Sequence, residues 1–250
     1  MSLPKSKRPV TKVDATSYSF THSDATGFPR ALPPIRKIGL GRRALAGLIP
    51  SEKLEQGGIA RFESSLERDF FVLLEFSSDV TRWDPQPVRL EVDGGRPYVP
   101  DVLVTFLPPG LMADNGYQIL FEVKYRDELR NHWGEYKPKF KAAMRYAKSR
   151  GWRFKIITER EIRGTGLLWN AKFLLPYRLD IGPYEDELLL LNRLKLAGTT
   201  TPGDLLAQCS GDSWERARLL TTFWHLVSVR RIGIDLCQRL TMISAVWPNE

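Results

Sequence analysis

The sequence predicts an α/β protein: a mixed sheet flanked by helices, followed by a small helical C-terminal domain. Three observations carry this reading. Short apolar-rich runs at 88–92, 98–106, 118–125 and 152–158 have the length and composition of strands. Residues 64–76 and 136–150, around and between them, place apolar side chains at helical spacing. Beyond Leu179 the strands thin out and helical patterns take over.

Residues 1–60 are rich in Pro, Gly, Ser, Arg and Lys with little sustained periodicity, and read as a basic N-terminal arm that orders against a partner. Its first residues contain no apolar segment of the kind a secretory signal needs. Ser64-Ser65 caps a helix whose apolar positions are Leu66, Phe70, Leu73 and Leu74, ending near Phe76. Val88–Val92 reads as a strand, Asp93-Gly94-Gly95 as a turn, and Tyr98–Phe106 as a second strand closed by Pro108-Pro109-Gly110. Gln118–Tyr125 is the third strand. Tyr136–Arg150 is a helix through Tyr136, Phe140, Ala143, Met144 and Ala147, stopped by Gly151, and Trp152–Thr158 is the fourth strand. This core occupies 61–180, with a boundary between Asp180 and Pro183. Helices at Tyr184–Ala197, Pro202–Cys209 and Ser213–Val229 follow, then extended pieces at Ile232–Ile234 and Leu240–Val246, so 183–250 looks like a winged-helix domain.

The formal net charge of +8 is unevenly spread. Residues 1–60 carry a net +6, 61–134 a net −5, 135–155 a net +7, and 156–250 balance to zero. An acidic centre between basic blocks suits a phosphate-rich partner with the acids reserved for metal ions; solubility plus a basic tail is the plainer alternative. Two cysteines, Cys209 and Cys237, are too few for a disulfide framework or zinc site and fit a reducing cytoplasm. No apolar stretch approaches a membrane-spanning length, so no membrane partner is expected. No P-loop, dinucleotide fingerprint or nucleophilic triad occurs, which removes ATPase and oxidoreductase readings.

The acidic centre contains the chemistry. Asp101 follows Pro100 among the apolar residues Val99, Val102 and Val104 of a strand. Glu122 and Lys124 lie two apart in Phe121-Glu122-Val123-Lys124 and therefore share one side of their strand. Glu67 projects from the preceding helix. Burying such groups is costly unless they pair or bind metal. Carboxylates that hold Mg²⁺, with a lysine beside them, are the set that phosphodiester hydrolysis requires. A salt bridge among Asp101, Glu122 and Lys124 without catalysis is the other reading. Glu135-Tyr136-Lys137 also fits Glu-x-Lys, but its stretch lacks strand alternation and is rejected.

Four strings together resemble the TnsA family of endonucleases from cut-and-paste transposons. They are Phe62-Glu63-Ser64-Ser65-Leu66-Glu67-Arg68-Asp69, Trp83-Asp84-Pro85-Gln86-Pro87, Tyr98-Val99-Pro100-Asp101 and Phe121-Glu122-Val123-Lys124. The resemblance covers about 50–178, and more loosely the helical remainder. It implies a restriction-endonuclease-like PD-(D/E)xK core and Mg²⁺-dependent cutting of the non-transferred strand at the 5′ ends of the element, with Mn²⁺ able to substitute. It implies work in a bacterial cytoplasm, on the nucleoid when acting, beside TnsB, a DDE-type transposase, and TnsC, an ATP-dependent regulator. Carried over, the catalytic positions are Glu67, Asp101, Glu122 and Lys124, the first three as metal ligands. Glu63, one helical turn before Glu67, competes with it; the Leu-Glu pair favours Glu67.

Lys137, Lys141, Arg145 and Lys148 form one basic stripe on the 136–150 helix, opposite Phe140, Ala143 and Ala147. It reads as a DNA-binding face, with a plain solvated face as the alternative. Ser51, Lys53 and Arg42-Arg43 either extend that contact or are solvated. Phe223, Trp224, Leu226 and Val227 read as core, and His225 among them as a structural residue. Arg230-Arg231 begins the wing, and the neutral charge of the C-terminal third points to protein docking, toward TnsC, rather than DNA. Two rivals stand beside the transposon-end endonuclease: a stand-alone restriction or repair nuclease of the same fold, and a non-catalytic DNA-binding adaptor.

Overall fold

The structure is a computed structural model that describes residues 46–54, 58–107 and 116–249. Chain contacts divide it into two units. The first runs to Glu67 and includes Ser78–Ile157; the second comprises Arg68–Ser77 and the chain from Thr158. The sequence reading placed its boundary later, between Asp180 and Pro183. Most of the basic arm, including Arg42-Arg43, lies outside the described residues. Its last stretch is ordered differently from the expectation: β1 (Gly47–Ser51) and β2 (Gly58–Phe62) form an antiparallel hairpin. Ser51 is buried, and its hydroxyl accepts the Lys53 N–H at 3.0 Å, so Ser51 is a turn residue.

α1 (Ser65–Phe76) begins as expected, because the Ser64 hydroxyl accepts the Glu67 N–H at 3.1 Å and satisfies a first-turn donor. The central sheet has four strands: β3 (Val80–Pro85), β4 (Val102–Phe106), β5 (Tyr117–Val123) and β6 (Arg153–Ile157). They lie in the order β3-β4-β5-β6, antiparallel except for the parallel β5–β6 pair. The mixed sheet flanked by helices is therefore present. Central β5 is buried from Leu120 to Val123, as a strand covered on both faces requires.

Two predicted strands are shorter than read. Val88–Val92 and Tyr98 meet only through one bridge, in which Leu90 and Tyr98 exchange backbone hydrogen bonds at 2.7 and 2.8 Å. Pro97 and Pro100 lack the N–H groups that would extend that ladder, so the second strand starts at Val102. The turn between them uses Gly94 at φ +67, a conformation suited to glycine.

α2 (Arg126–Asn131) precedes α3 (Trp133–Ser149), which starts one turn before the predicted Tyr136. Phe140, Ala142, Ala143 and Ala147 of α3 join Leu103, Leu120, Leu90, Val92 and Tyr98 in one apolar cluster. Met144, expected on that face, is half exposed. The rejected Glu135-Tyr136-Lys137 lies within α3 and not on a strand.

In the second unit, α4 (Glu159–Arg163) is closed by a capping box between Thr158 and Glu161. α5 (Leu167–Leu174) leads through a 3₁₀ turn, Leu175–Arg178, toward the predicted helices α6 (Tyr184–Ala197), α7 (Pro202–Cys209) and α8 (Ser213–Ser228). The side chains of Thr201 and Asp212 cap α7 and α8. β7 (Ile232–Ile234) pairs with β8 (Val246–Pro248), not with 240–246. There Thr241 and Ser244 bond each other's backbone and side chains, a turn that competes with strand geometry. Phe223, Trp224, Leu226 and Val227 are core as expected, and the His225 ring bonds the Tyr177 carbonyl at 2.9 Å. Cys209 and Cys237 are both free thiols. Among the described residues no helix is long and apolar enough to cross a membrane.

Candidate active site

Asp101 stands immediately before β4, in the span where Pro100 interrupts the ladder. Its carbonyl accepts the Gln86 N–H at 2.8 Å, and its Oδ2 accepts the Val123 N–H at 2.6 Å. That second bond fixes the acid at the end of β5, beside Glu122 and Lys124. Glu122 is 2% exposed. Its Oε2 accepts the Tyr98 hydroxyl, and its Oε1 lies 3.2 Å from Lys124 Nζ. The same ammonium lies 3.8 Å from Asp101 Oδ2. Lys124 continues the β5–β6 ladder through its N–H to Ile157 at 3.1 Å, so the strand alternation that predicted Glu122 and Lys124 on one side holds.

Glu67 does two things at once. As the fourth residue of Ser-x-x-Glu it finishes the helix cap: Oε1 accepts the Ser64 hydroxyl at 3.0 Å and Oε2 the Glu63 N–H at 2.9 Å. It also feels the charges of Asp101 and Lys124. Glu63 Oε1 accepts Gln86 Nε2 at 3.0 Å, and the charge of Glu63 also reaches Asp101.

The buried Glu67 and Glu122 and the part-buried Asp101 lie around one lysine, and their protonation reflects it. Desolvation, then the neighbouring charge of Asp101, pushes Glu67 up to about 7 and Glu122 up to about 8. Desolvation also raises Asp101. For Lys124, burial works against the charge, but Asp101 and Glu122 outweigh it and hold the ammonium well above the ordinary lysine range.

As a donor set, three carboxylates offer the hard oxygens that Mg²⁺ takes, and a divalent ion would relieve the repulsion that raises them. Among the described residues no three acidic, histidine or cysteine side chains already converge at ligating distance. Lys124 instead stands between Asp101 and Glu122. The chemistry of the set fits the ion; its closure requires the carboxylates to turn from their present partners.

Two residues at the cluster carried no role in the sequence reading, although both stand in the strings quoted above. Tyr98 is buried and donates to Glu122, with its ring edge-on to Phe140 at 6.4 Å. Its place three residues before Asp101, in an otherwise apolar run, was the available signal. Gln86 holds φ +49, and its Oε1 is buried without a hydrogen-bond partner. A left-handed backbone at a non-glycine residue before a proline costs about 1–3 kcal/mol.

Tyr98→Phe removes a buried hydrogen bond to a carboxylate. Denaturant unfolding without divalent metal should show a loss of about 1.5–3 kcal/mol at pH 9, where Glu122 is ionised, and a smaller loss at pH 6. Equal losses at the two pH values would contradict the pairing.

The basic stripe is separate from this cluster. Lys137, Lys141, Arg145 and Lys148 are all exposed on α3, while Phe140, Ala143 and Ala147 on the opposite side are buried. Arg145 comes within 3.8 Å of the exposed Asp93.

Comparison with known families places this geometry. Residues 77–159 match the family described as TnsA-like endonuclease, N terminal. The matched span contains Asp101, Glu122 and Lys124 together with β3 to β6, while Glu67 lies ahead of it. None of the curated proteins compared with the chain matches it. Residues 77–159 are thus similar to the N-terminal domain of TnsA-like endonucleases, and Asp101, Glu122 and Lys124 lie within that similarity.

Proposed function

We propose that the chain is a Mg²⁺-dependent DNA endonuclease subunit of a heteromeric transposase, cleaving the 5′, non-transferred strands at transposon ends. The observation that carries this is the cluster of Asp101 and Glu122 around Lys124, inside the span that matches the endonuclease family, with Glu67 just ahead of that span. The four-stranded mixed sheet, with Asp101 before one strand and Glu122 and Lys124 at the end of the next, supports a restriction-endonuclease-like PD-(D/E)xK core.

In this reading Glu67, Asp101 and Glu122 hold the ion. When bound, it polarises the phosphoryl oxygen and lowers the pKa of the attacking water. Lys124 orients that water or offsets the charge developing on the phosphate. Tyr98 and the Val123 N–H hold Glu122 and Asp101 in the metal-free site, and the carboxylates would turn from them to hold the ion. The protein's share of catalysis is positioning plus a preformed field.

The exposed stripe Lys137, Lys141, Arg145 and Lys148 is proposed to track the phosphates of the bound strand. Neutralising all four should flatten the slope of log binding constant against log salt by about 0.9 per lost contact, read by anisotropy with labelled duplex. An unchanged slope removes the stripe from the interface.

In the second unit, three helices, the β7–β8 pair and the bridge between Thr200 and Val246 support a winged-helix fold. The zero net charge of residues 156–250 and the largely exposed Leu196, Trp214 and Ile243 favour a protein partner of the TnsC type over DNA. A TnsB-type transposase would cut the transferred strand. The direct test is Mg²⁺-dependent nicking of a transposon end by the full chain beside its transposase; no nicking with Mg²⁺ under any pairing contradicts the reading.

A further inference from the structure

Gln86 links the two halves of the cluster. Its N–H donates to the Asp101 carbonyl at 2.8 Å, and its Nε2 donates to Glu63 Oε1 at 3.0 Å. Glu63 in turn donates its N–H to Glu67 Oε2 at 2.9 Å. One residue thereby ties the helix cap that carries Glu67 to the strand that carries Asp101.

Two features go beyond a structural tie. The backbone sits at φ +49, a region that non-glycine residues avoid unless their surroundings impose it, and Pro87 follows directly. The side-chain Oε1 is buried and has no hydrogen-bond partner among the described residues. Exchanging the amide nitrogen and oxygen does not remove this orphan, because it would aim a carbonyl oxygen at the Glu63 carboxylate. A buried acceptor beside a hydrolytic cluster calls for a donor, and water is the donor that the reaction brings.

We propose that Gln86 is a positioning residue of this site. It sets the separation of Glu67 from Asp101, and its amide carbonyl accepts a hydrogen bond from a water molecule held at the carboxylates. This rests on the nuclease reading above. Strain at Gln86 belongs to the turn that holds its amide against Glu63 with the carbonyl oxygen buried, where an unstrained loop would let it turn to solvent.

The test compares the full chain with Gln86→Gly and Gln86→Asn. Glycine adopts φ +49 freely and removes only the side chain; asparagine tolerates that backbone and keeps an amide. Thermal unfolding of Gln86→Gly should match or exceed that of the parent. Its kcat on transposon-end DNA should fall about 10- to 100-fold with KM for DNA unchanged. Its Mg²⁺ affinity by calorimetry should fall about 10-fold, as when a residue supporting a metal ligand is removed. Gln86→Asn should restore part of both. A Gln86→Gly chain that cuts and binds Mg²⁺ within about twofold of the parent overturns the inference alone. If Gln86→Gly fails to fold, Gln86→Asn decides: a folded Asn variant with parental kcat and Mg²⁺ affinity overturns it, and a selective kcat loss supports it. A parent chain that neither binds Mg²⁺ nor cuts overturns the nuclease reading and this inference with it.

Discussion

Asp101→Ala should abolish strand cleavage, with single-turnover rates at the level of the metal-free protein, while the chain stays folded. The expectation follows from what the substitution removes. In the proposed site Asp101 would contribute a ligand oxygen, and its Oδ2 accepts the 2.6 Å bond that holds the end of β5. It is also a buried acid whose charge raises Glu67 and Glu122, so its loss relieves repulsion as it breaks the Val123 bond. The two effects oppose, and stability changes little. Lys124→Ala should be as inactive for a different reason. It leaves Asp101 and Glu122 buried without their cation, and both respond by taking up protons. Urea unfolding and circular dichroism separate lost chemistry from lost fold. Full cleavage by either folded variant would contradict the assignment.

The second large effect is on stability. Glu67 and Glu122 have folded values of about 7 and about 8 against an ordinary 4.5. Between those limits the folded chain binds more protons than the unfolded chain, so stability falls as pH rises through the window. The stabilisation is complete below about pH 4.5 and lost near pH 8. For Glu67 alone the difference is on the order of 3 kcal/mol. Asp69, held low by Lys172, Arg68 and Arg163 against its own burial, acts below this window, and Lys124 above it. Denaturant unfolding in chelator should therefore show a decline from pH 5 to pH 8. On the proposed reading Mg²⁺ would bind the ionised carboxylates, so it should raise stability at pH 8 far more than at pH 5. A flat profile, or an equal effect of Mg²⁺ at both pH values, would contradict a metal-seeking cluster.

The parts of this account legible in the sequence share a cause: they depend on local rules. The two-residue period placed Glu122 and Lys124 on one side of a buried strand. Ser64 stood where a helix cap belongs, and α6 to α8 followed within a residue or two. What escaped depends on partners far along the chain. β3 carries Thr81, Arg82 and Asp84 around its buried Val80 and Trp83, so its apolar signal is thin, and its strand identity comes from pairing with β4. The β1–β2 hairpin is hidden by glycines and Pro50 in a stretch that reads as an arm. At the site, the helix carboxylate, Asp101 and the Glu-x-Lys pair were visible as types at a spacing. Tyr98 and Gln86 were not, because their roles arise only when the bridge at Leu90 and the turn at Gln86 bring them to the acids.

The measurement that bears most directly on the central claim is strand-resolved cleavage of a labelled transposon end by the full chain, with and without the neighbouring transposase. The account predicts Mg²⁺-dependent cutting of the 5′, non-transferred strand when the transposase is present, lost in Asp101→Ala and in chelator. Cutting that survives in Asp101→Ala, or that falls on the transferred strand, would contradict it.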